Sequence, residues 1–397
     1  PAHPPAPWQR QCRAAGPVVA LRPEGPRRVD PGPGTRDLHP DTCQLVATSG
    51  STGAPKLVQL TQPGTLAAAA VYRRRVAVHP GEAVAVPQSL ATVGALPSGV
   101  LPALLSGGTA VLGHGWGVRT FLDALTGHRA VFAMAVTGWW QACLAVPWPA
   151  LPALRVLGVG GSPWHHLLPD LRRRLPHAEV LGNYGLTETH GPALQVSTGE
   201  VTDVTGIAGR PVPGLEAEVR DGAGAAAAPG ERGMLWLRGP LVTPGYVGWD
   251  AAGRDGAGWW RTGDVAVRGA DGWFRVVDRA DDLVNVAGRK VYPAEVEAVL
   301  RAVPGVVDCA VVRSDGAVEQ RLLGAFVVTG ATGFDRAAAR RAVREQVGSH
   351  ALPTRLDVVP ELPRTGSGKV DREALRRRLS APATGDGLTT RTPSSSS

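Results

Sequence analysis

The sequence predicts an α/β protein: a large N-terminal domain of parallel α/β subdomains with a small β-rich subdomain, followed by a small α+β domain. Three observations support this fold class. From Gln44 onward, short apolar runs alternate with longer amphipathic stretches, which is typical of strands and helices around a parallel sheet. After Val201 the pattern becomes strand, turn, strand. After Arg279 helical and strand patterns alternate again.

The individual elements follow in chain order. Apolar strands are predicted at 45–47, 83–86, 109–112, 131–136, 154–158 and 179–181, and helices at 66–75, 100–105, 119–126, 139–146 and 165–175. The β-rich part has strands at 215–220, 233–238, 264–268 and 273–277, the last two joined by the turn at Asp271-Gly272. The last part has helices at 294–302, 336–346 and 370–379 and strands at 306–313 and 322–328.

These patterns also predict the domain boundaries. Residues 1–40 are rich in Pro, Gly and Arg and are predicted to be irregular or extended. The large domain is predicted at 41–278, with its β-rich part at about 201–278, and the small domain at 279–380. The low-complexity end, 381–397, is predicted to be a disordered tail.

Composition narrows the classes of function. The net charge of +8 would suit a nucleic-acid partner. However, the arginine clusters at 73–75, 172–174 and 376–378 have helix-like positions, and we interpret them as solvated helix faces. We therefore expect no nucleic-acid partner. The four cysteines show neither metal-ligand nor disulfide spacing. No apolar run is long enough to span a bilayer and no start resembles a signal peptide, which predicts a soluble cytoplasmic protein without a membrane partner.

Only three lysines occur in the chain, and each lies in a glycine-containing segment: Lys56, Lys290 and Lys369. An ammonium is a compact point charge that approaches a single oxygen, whereas a guanidinium is a wide planar fork. The three lysines are therefore candidates for contact with phosphate or for a role at a hinge. The alternative is that their positions are due to chance.

The first glycine-rich segment follows the apolar strand that ends at Ala47. Its glycines allow the backbone to approach a phosphate, its hydroxyls donate hydrogen bonds and Lys56 adds positive charge. A turn rich in serine and glycine would have the same composition. The candidate phosphate-binding residues are Thr48, Ser49, Gly50, Ser51, Thr52, Gly53 and Lys56.

The second segment, Asn183-Tyr-Gly-Leu-Thr-Glu188, follows the strand at 179–181. Ligands bind at the carboxyl edge of a parallel sheet, so this segment would lie where a ligand is expected. Tyr184 can stack on a purine, and the Glu188 carboxylate can hold Mg²⁺ through oxygen. Alone, the segment could equally be an ordinary Tyr-Gly turn.

The third segment, Arg261-Thr-Gly-Asp264, precedes the predicted hairpin. A fixed carboxylate at Asp264 can accept hydrogen bonds from both hydroxyls of a ribose, and Arg279 can reach a phosphate or ribose oxygen. Asp281 and Asp282, which follow closely, equally suit a polar turn between domains.

The fourth segment, Pro363-Arg-Thr-Gly-Ser-Gly-Lys369, precedes the last predicted helix. Its two glycines predict a mobile loop that presents Lys369 to a ligand and withdraws it. Taken alone, the segment would be interpreted as a solvated loop.

Together the four segments resemble the adenylate-forming superfamily, which includes acyl-CoA synthetases, carrier-loading adenylation domains and firefly luciferase. Their order, spacing and wording match from about Gln44 to Leu379. Further matching pieces are at 209–214, 230–233, 245–246 and 292–297.

The resemblance implies a reaction in two halves. A carboxylate attacks the α-phosphorus of ATP to give an acyl adenylate and pyrophosphate, and a thiol then displaces AMP. It implies ATP and Mg²⁺ as cofactors, and CoA or a carrier-protein phosphopantetheine as the thiol. By the same resemblance, the segment 48–56 holds the β and γ phosphates, and Tyr184 stacks on adenine between Asn183 and Gly185. Thr187 contacts the α-phosphate and Glu188 binds Mg²⁺. Asp264 and Arg279 hold the ribose, and Lys369 bridges the carboxylate and the α-phosphate.

The resemblance further implies that the small C-terminal domain is mobile. It would rotate about a hinge at Asp281 between the two halves of the reaction. This rotation would remove Lys369 and bring Gly288 to the path of the thiol, with Lys290 nearby.

The sequence departs from the family pattern in several places. Only 47 residues precede the phosphate segment, so part of the first subdomain is expected to be absent or replaced. The segment 86–94 lacks the aromatic-histidine pair of many acyl-CoA ligases, and Asp278 replaces the glycine usual before the hinge arginine. No acidic residue lies at 88–94 to pair with a substrate amine, which favours an acid without an α-amino group.

The acid pocket is the least defined part of the prediction. Trp139, Trp140, Gly160 and Gly161 are candidates for lining it, but the two tryptophans equally suit the core. The leading hypothesis is an acid–thiol ligase that converts a small carboxylic acid to its CoA thioester. One alternative is transfer to a carrier protein or an amine, and another is a weakly active homologue that acts as a binding protein.

Overall fold

A computed structural model describes the chain over 38–48, 56–113, 115–201, 203–248, 253–286, 289–314, 323–330, 333–365 and 369–380, together with the backbone of a hairpin at 18–22 and 25–29. The chain divides into two compact units. Unit 1 comprises Pro1–Asp281 with Gly366–Lys369, and unit 2 comprises Asp282–Thr365 with Val370–Ser397. In the part of the chain that is described, no helix is both long and apolar enough to cross a bilayer.

The N-terminal hairpin pairs β1 (Val18–Arg22) with β2 (Gly25–Val29). It is a regular element inside the segment 1–40, which the sequence predicts to be irregular or extended. The predicted tail at 381–397 lies outside the described residues.

The largest sheet of unit 1 has seven strands in the order β11-β10-β9-β8-β7-β5-β6. Strands β5 to β9 run parallel to their neighbours, whereas β10 and β11 add to β9 in antiparallel pairs. The bounds are β5 (Ala83–Val86), β6 (Thr109–Leu112), β7 (Phe132–Val136), β8 (Val156–Gly160), β9 (Glu179–Tyr184), β10 (Leu194–Ser197) and β11 (Arg210–Pro211). This confirms the predicted parallel α/β subdomain.

The central strands are apolar along their whole length because helices cover both faces of the sheet. Every residue of β5 and β8 is buried. The helices are α1 (Gln62–Val76), α2 (Leu101–Leu105), α3 (Val118–Gly127), α4 (Thr137–Leu144) and α5 (Leu168–Arg174). In α1 the hydroxyl of Thr61 accepts from the amide of Gly64 at 3.2 Å, which caps the helix start. In α3, Phe121, Leu122 and Leu125 form the buried face of an amphipathic helix.

Two antiparallel assemblies complete unit 1. The hairpin of β3 (Thr42–Ala47) and β4 (Leu57–Thr61) flanks the predicted phosphate segment. A four-stranded sheet in the order β12-β13-β14-β15 forms the predicted β-rich part. Its strands are β12 (Glu216–Arg220), β13 (Arg232–Arg238), β14 (Trp260–Arg268) and β15 (Phe274–Arg279).

Unit 2 is a small α+β fold with its own apolar core. A short hairpin of β16 (Val284–Val286) and β17 (Arg289–Val291) precedes a sheet in the order β18-β19-β20, in which β18 is antiparallel and β20 parallel to β19. Its other elements are α6 (Pro293–Arg301), β18 (Val306–Arg313), β19 (Leu323–Thr329), α7 (Arg336–Gln346), β20 (Arg355–Val358) and α8 (Arg372–Ser380). The carboxylate of Asp335 accepts from the amide of Ala337 at 2.7 Å and so caps α7.

Candidate active site

The predicted phosphate segment closes the β3–β4 hairpin. Thr48 and Lys56 face each other across its base, where the amide of Thr48 donates to the carbonyl of Lys56 at 2.8 Å. The amide of Lys56 donates in turn to the hydroxyl of Thr48 at 3.3 Å. The strand pairing therefore fixes both ends of the segment. The candidate residues between them, Ser49, Gly50, Ser51, Thr52 and Gly53, lie outside the described residues.

A second segment, 243–247, lies along the free edge of β4. The amide of Gln59 donates to the carbonyl of Gly245 at 3.0 Å, and the amide of Val247 donates to the carbonyl of Leu57 at 2.9 Å. The hydroxyl of Thr243 donates to the carbonyl of Gln59 at 2.5 Å. These bonds extend the hairpin by a third, strand-like piece, and this piece carries Tyr246.

Tyr246 connects the phosphate segment to the acidic residue of the second motif. The ammonium of Lys56 lies 5.1 Å from the centre of the Tyr246 ring, within the range of a cation–π contact. The hydroxyl of Tyr246 donates to Oε1 of Glu188 at 2.7 Å. Burial, together with the charge of Glu188, raises the pKa of Tyr246, so the hydroxyl remains a donor over the ordinary pH range. One aromatic side chain therefore contacts a candidate phosphate cation and a candidate metal carboxylate.

Glu188 lies in a short 3₁₀ turn, Thr187–Thr189, just beyond the carboxyl end of β9. The amide of Thr243 donates to the carbonyl of Glu188 at 2.8 Å, which fixes the backbone of the turn. A single carboxylate beside a phosphate site is a donor set that Mg²⁺ uses together with nucleotide oxygens. The residues present therefore fit a magnesium ion held by Glu188 and a bound nucleotide.

The turn is also held by His190, which has a left-handed backbone with φ of 55°. Its ring is buried and lies between two backbone groups: Nε2 accepts from the amide of Thr61 at 2.8 Å, and Nδ1 lies 2.7 Å from the carbonyl of Leu241. The first contact makes Nε2 the acceptor, so Nδ1 carries the proton and donates. Burial lowers the pKa of His190, which favours this neutral tautomer.

Asp264, from the third segment, and Arg279 lie opposite each other on β14 and β15. Nη1 of Arg279 lies 3.3 Å from Oδ1 of Asp264, and the hydroxyl of Tyr184 donates to Oδ2 at 2.5 Å. Burial raises the pKa of Asp264, while Arg279 and Tyr184 oppose that shift. The carboxylate is thus held by two side chains, and it is 4% exposed. A ribose would have to use its remaining acceptor positions.

Gly263 allows this pair to form. Its φ is 81°, and a Cβ at this position would lie 2.9 Å from Nη2 of Arg279. A side chain there would therefore push the guanidinium away from Asp264. The glycine of the third motif has both a backbone and a packing role.

Lys369 lies against the carboxyl end of β8. A Cβ built at Gly161, where φ is 84°, would be 3.3 Å from Cε of Lys369. Desolvation lowers the pKa of Lys369, while the carboxylates of Asp264 and Glu188 raise it and Arg279 lowers it. These interactions place the candidate catalytic lysine in the same electrostatic environment as the residues of the second and third motifs.

At the end of β8, Gly160 packs closely against β9, since a Cβ there would lie 2.5 Å from the carbonyl oxygen of Asn183. Trp140, the next candidate for the acid pocket, lies in the core. Trp140 is 0% exposed, and its indole nitrogen donates to the carbonyl of Gly158 at 2.8 Å. Its ring packs edge-on against Phe121 in the main core. The expectation that Trp140 lines the acid pocket is therefore wrong, because the large apolar ring fills the core instead. Trp139 is half-buried beside it.

The remaining candidates are spread more widely. The side chain of Asn183 accepts from Gln195 at 3.1 Å, and Gly185 follows at the end of β9. Asp281 is exposed and is the last residue of the first part of unit 1, and Lys290 is exposed on β17. Gly288 lies outside the described residues.

Sequence reasoning missed the contribution of two residues. Tyr246 lies in the matching piece at 245–246, and His190 lies outside all four segments. Both act across long sequence separations: Glu188 and Tyr246 are 58 positions apart, and Thr61 and His190 are 129 positions apart. No local pattern indicates contacts of this kind.

Comparison with known proteins supports the same interpretation. The chain matches the AMP-binding enzyme family over residues 11–247 and the AMP-binding enzyme C-terminal domain over residues 295–369. It is 33% identical over 352 residues to a feruloyl-CoA synthase from Amycolatopsis, covering 85% of this chain and 70% of that protein. It is 31% identical over 339 residues to a 2-succinylbenzoate–CoA ligase from Bacillus velezensis, covering 84% and 68%.

A solved structure is similar as well. It is o-succinylbenzoate coenzyme A synthetase from Bacillus subtilis in complex with ATP and magnesium ion, with a TM-score of 0.75 and 26% identity. The match covers 85% of this chain and 71% of that chain. Fold and site together define an adenylate-forming enzyme. The chain belongs to the AMP-binding enzyme family.

Proposed function

We propose that this protein is an ATP-dependent acid–thiol ligase, which activates a carboxylic acid as its acyl adenylate and transfers the acyl group to CoA. The observation that carries this proposal is the convergence of Lys369, Glu188 and the Asp264–Arg279 pair near the carboxyl edge of the parallel sheet. Attack of one anion on another requires charge neutralisation and alignment, and this arrangement offers both.

In the first half-reaction, a carboxylate oxygen forms a bond to the α-phosphorus of ATP and pyrophosphate leaves. Lys369 would lie between the carboxylate and the α-phosphate and reduce the repulsion of the two anions. Thr187 would donate to an α-phosphate oxygen, and the segment from Thr48 to Lys56 would hold the β and γ phosphates. Magnesium, when bound, would neutralise phosphate charge, and Glu188 is the residue that would hold it.

The nucleoside would be held by the third motif. Tyr184 would contact the adenine, with Asn183 and Gly185 on either side along β9. Asp264 and Arg279 would hold the ribose hydroxyls through the acceptor and donor positions that their mutual contact leaves available. These assignments follow from the family motifs and from the contacts described above.

In the second half-reaction, the sulfur of CoA attacks the carbonyl carbon of the adenylate, its proton is lost and AMP leaves. We assign the small domain to residues 279–380 and its hinge to Asp281, with Gly288 and Lys290 on the thiol path. The position of Asp281 at the end of unit 1 supports the hinge assignment.

The acid is proposed to lack an α-amino group. No carboxylate occurs at 88–94 to pair with an ammonium, and Gly160 and Gly161 at the end of β8 add no charge. The names of the two curated relatives, which act on ferulate and 2-succinylbenzoate, make aryl acids the first class to test. Trp139 remains a candidate for contact with the acid.

The test is acid-dependent exchange of labelled pyrophosphate into ATP, measured over a panel of aryl, alkyl and amino acids. We expect exchange with aryl acids and none with α-amino acids. If no acid supports exchange in the presence of ATP and Mg²⁺, the enzyme assignment fails and the binding-protein alternative takes its place. Supplying CoA, a phosphopantetheinyl carrier protein or an amine to the active mixture then identifies the acceptor.

A further inference from the structure

Lys369 is carried by a hairpin whose base is closed by backbone pairing. The chain leaves through Pro363 and Arg364 and returns through Val370 and Asp371. Arg364 and Val370 form an antiparallel bridge, and the amide of Asp371 donates to the carbonyl of Pro363 at 2.8 Å. The candidate catalytic lysine therefore lies one residue away from a fixed pair of strands.

The first arginine beside this base binds β18. Nη2 of Arg364 lies 2.9 Å from Oδ2 of Asp308. The Asp308 side chain is 12% exposed and that of Arg364 is 35% exposed, so water reaches the ion pair mainly from the arginine side. The outgoing side of the hairpin is thereby attached to the start of β18.

The second arginine binds the same strand further along and also α6. Nη1 of Arg372 donates to the carbonyl of Val311 at 2.7 Å, and Nη2 lies 2.7 Å from Oε1 of Glu297. Glu297 is 1% exposed, and it also accepts from the amide of Val311 at 2.9 Å. The returning side of the hairpin is thus attached to a buried carboxylate.

The two attachment points on β18 are three residues apart, which corresponds to about 10 Å along a strand. A hairpin held at a single point could swivel about it, but one held at two separated points cannot. Each arginine is also the wide fork that suits such a two-sided contact, whereas Lys369 between them is the point charge.

From this arrangement we propose that Arg364 and Arg372 are positioning residues for Lys369, which fix the base of its hairpin on β18 and α6. The inference rests on the proposed function, in which Lys369 serves the first half-reaction only. The two arginines are therefore needed for adenylate formation and not for thioester formation.

The experiment measures the two half-reactions separately. Adenylate formation is followed by pyrophosphate exchange with the best acid of the panel, and thioester formation is followed by giving the enzyme synthetic acyl adenylate and CoA. The variants are Arg364→Met and Arg372→Met. The matched control is Arg355→Met, which breaks an ion pair of 2.8 Å with Asp357 on β20 of the same unit.

We expect both variants to lose about 10- to 100-fold in kcat for adenylate formation, because a displacement of about 1 Å in a reacting group has an effect of this size. Thioester formation and the control variant should stay close to the wild type. Arg364→Lys, which keeps the charge, should recover part of the loss. Arg364→Met decides the question if Arg372→Met does not fold, since Asp308, the partner of Arg364, is less deeply buried than Glu297.

Two results would overturn the proposal: equal losses in both half-reactions, as a purely structural role would give, or no loss of adenylate formation in Arg364→Met. Failure of the proposed function gives a different result, because the wild-type protein itself would then show no exchange with any acid.

Discussion

The most informative single-atom change at this site is Tyr246→Phe. It keeps the ring that Lys56 faces at 5.1 Å and that packs edge-on against Trp260, with ring centroids 5.6 Å apart. It removes only the hydroxyl that donates to Glu188 at 2.7 Å. The change therefore tests whether that hydrogen bond orients the carboxylate for a nucleotide-bound metal.

The size of the effect follows from the type of bond. A hydrogen bond to a charged group contributes about 1.5–3 kcal/mol, and about 1.4 kcal/mol corresponds to a factor of ten. We expect kcat/KM for MgATP to fall about 10- to 100-fold, with a higher Mg²⁺ concentration needed for half-maximal activity. The ring stays in place, so the free energy of unfolding should fall by no more than the same hydrogen bond contributes, about 3 kcal/mol.

The assay is pyrophosphate exchange at varied ATP and Mg²⁺, with unfolding by denaturant measured in parallel. Tyr292→Phe is the control, since Tyr292 is a buried tyrosine of unit 2. The reasoning is refuted if Tyr246→Phe has the same ATP and Mg²⁺ dependence as the wild type. It is also refuted if the loss of activity is fully explained by loss of folded protein.

Three further changes test other parts of the account. Gly161→Ala should slow adenylate formation by more than its loss of folded protein explains. The control is Gly81→Ala, with φ of 82° and nothing within 4 Å of the new Cβ, which should cost only backbone strain of about 1–2 kcal/mol. Equal activities in the two variants would contradict this. Burial by itself would raise the pKa of Glu297, but Arg372 and Arg301 outweigh burial and lower it. The charge of Glu297 therefore stabilises the fold above the ordinary pKa of 4.5, and this stability is lost as the pH falls through the lowered pKa. Denaturant unfolding of Glu297→Gln should therefore show a deficit relative to the wild type at pH 7 that shrinks below pH about 4, and a deficit that grows at low pH would refute this. Trp140→Phe should lower the free energy of unfolding by about 1–3 kcal/mol and leave the order of preferred acids unchanged; a changed order would return Trp140 to the acid pocket.

The parts of the fold that the sequence predicted are those with local signals. Strands β5 and β8 are continuous apolar runs because helices cover both faces of the sheet, and the motifs at the carboxyl ends of β8 and β9 follow from that arrangement. The antiparallel strands β10 and β11 were not predicted. Their pairing partners lie elsewhere in the chain, and their own residues carry no comparable apolar run.

In the candidate site, too, the sequence carries local signals but does not show which distant residues come into contact. Motif residues such as Asp264 and Glu188 could be identified one by one, but their partners could not. The bond from Tyr184 to Asp264 spans 80 residues, and only the folded chain brings the two together. Trp140 was ambiguous for a different reason: a pocket for an aryl acid and an apolar core both use large aromatic rings, and only burial distinguishes them.

The central claim is that a carboxylate oxygen attacks the α-phosphorus of ATP at this site. It is tested most directly by incubating the enzyme with ATP, CoA and an acid labelled with ¹⁸O in its carboxylate, and then locating the label by mass spectrometry. The mechanism predicts that each AMP released carries one labelled oxygen, because the attacking oxygen stays on phosphorus when the thiol displaces AMP. Label in inorganic phosphate, or AMP without label while thioester is formed, would contradict the account.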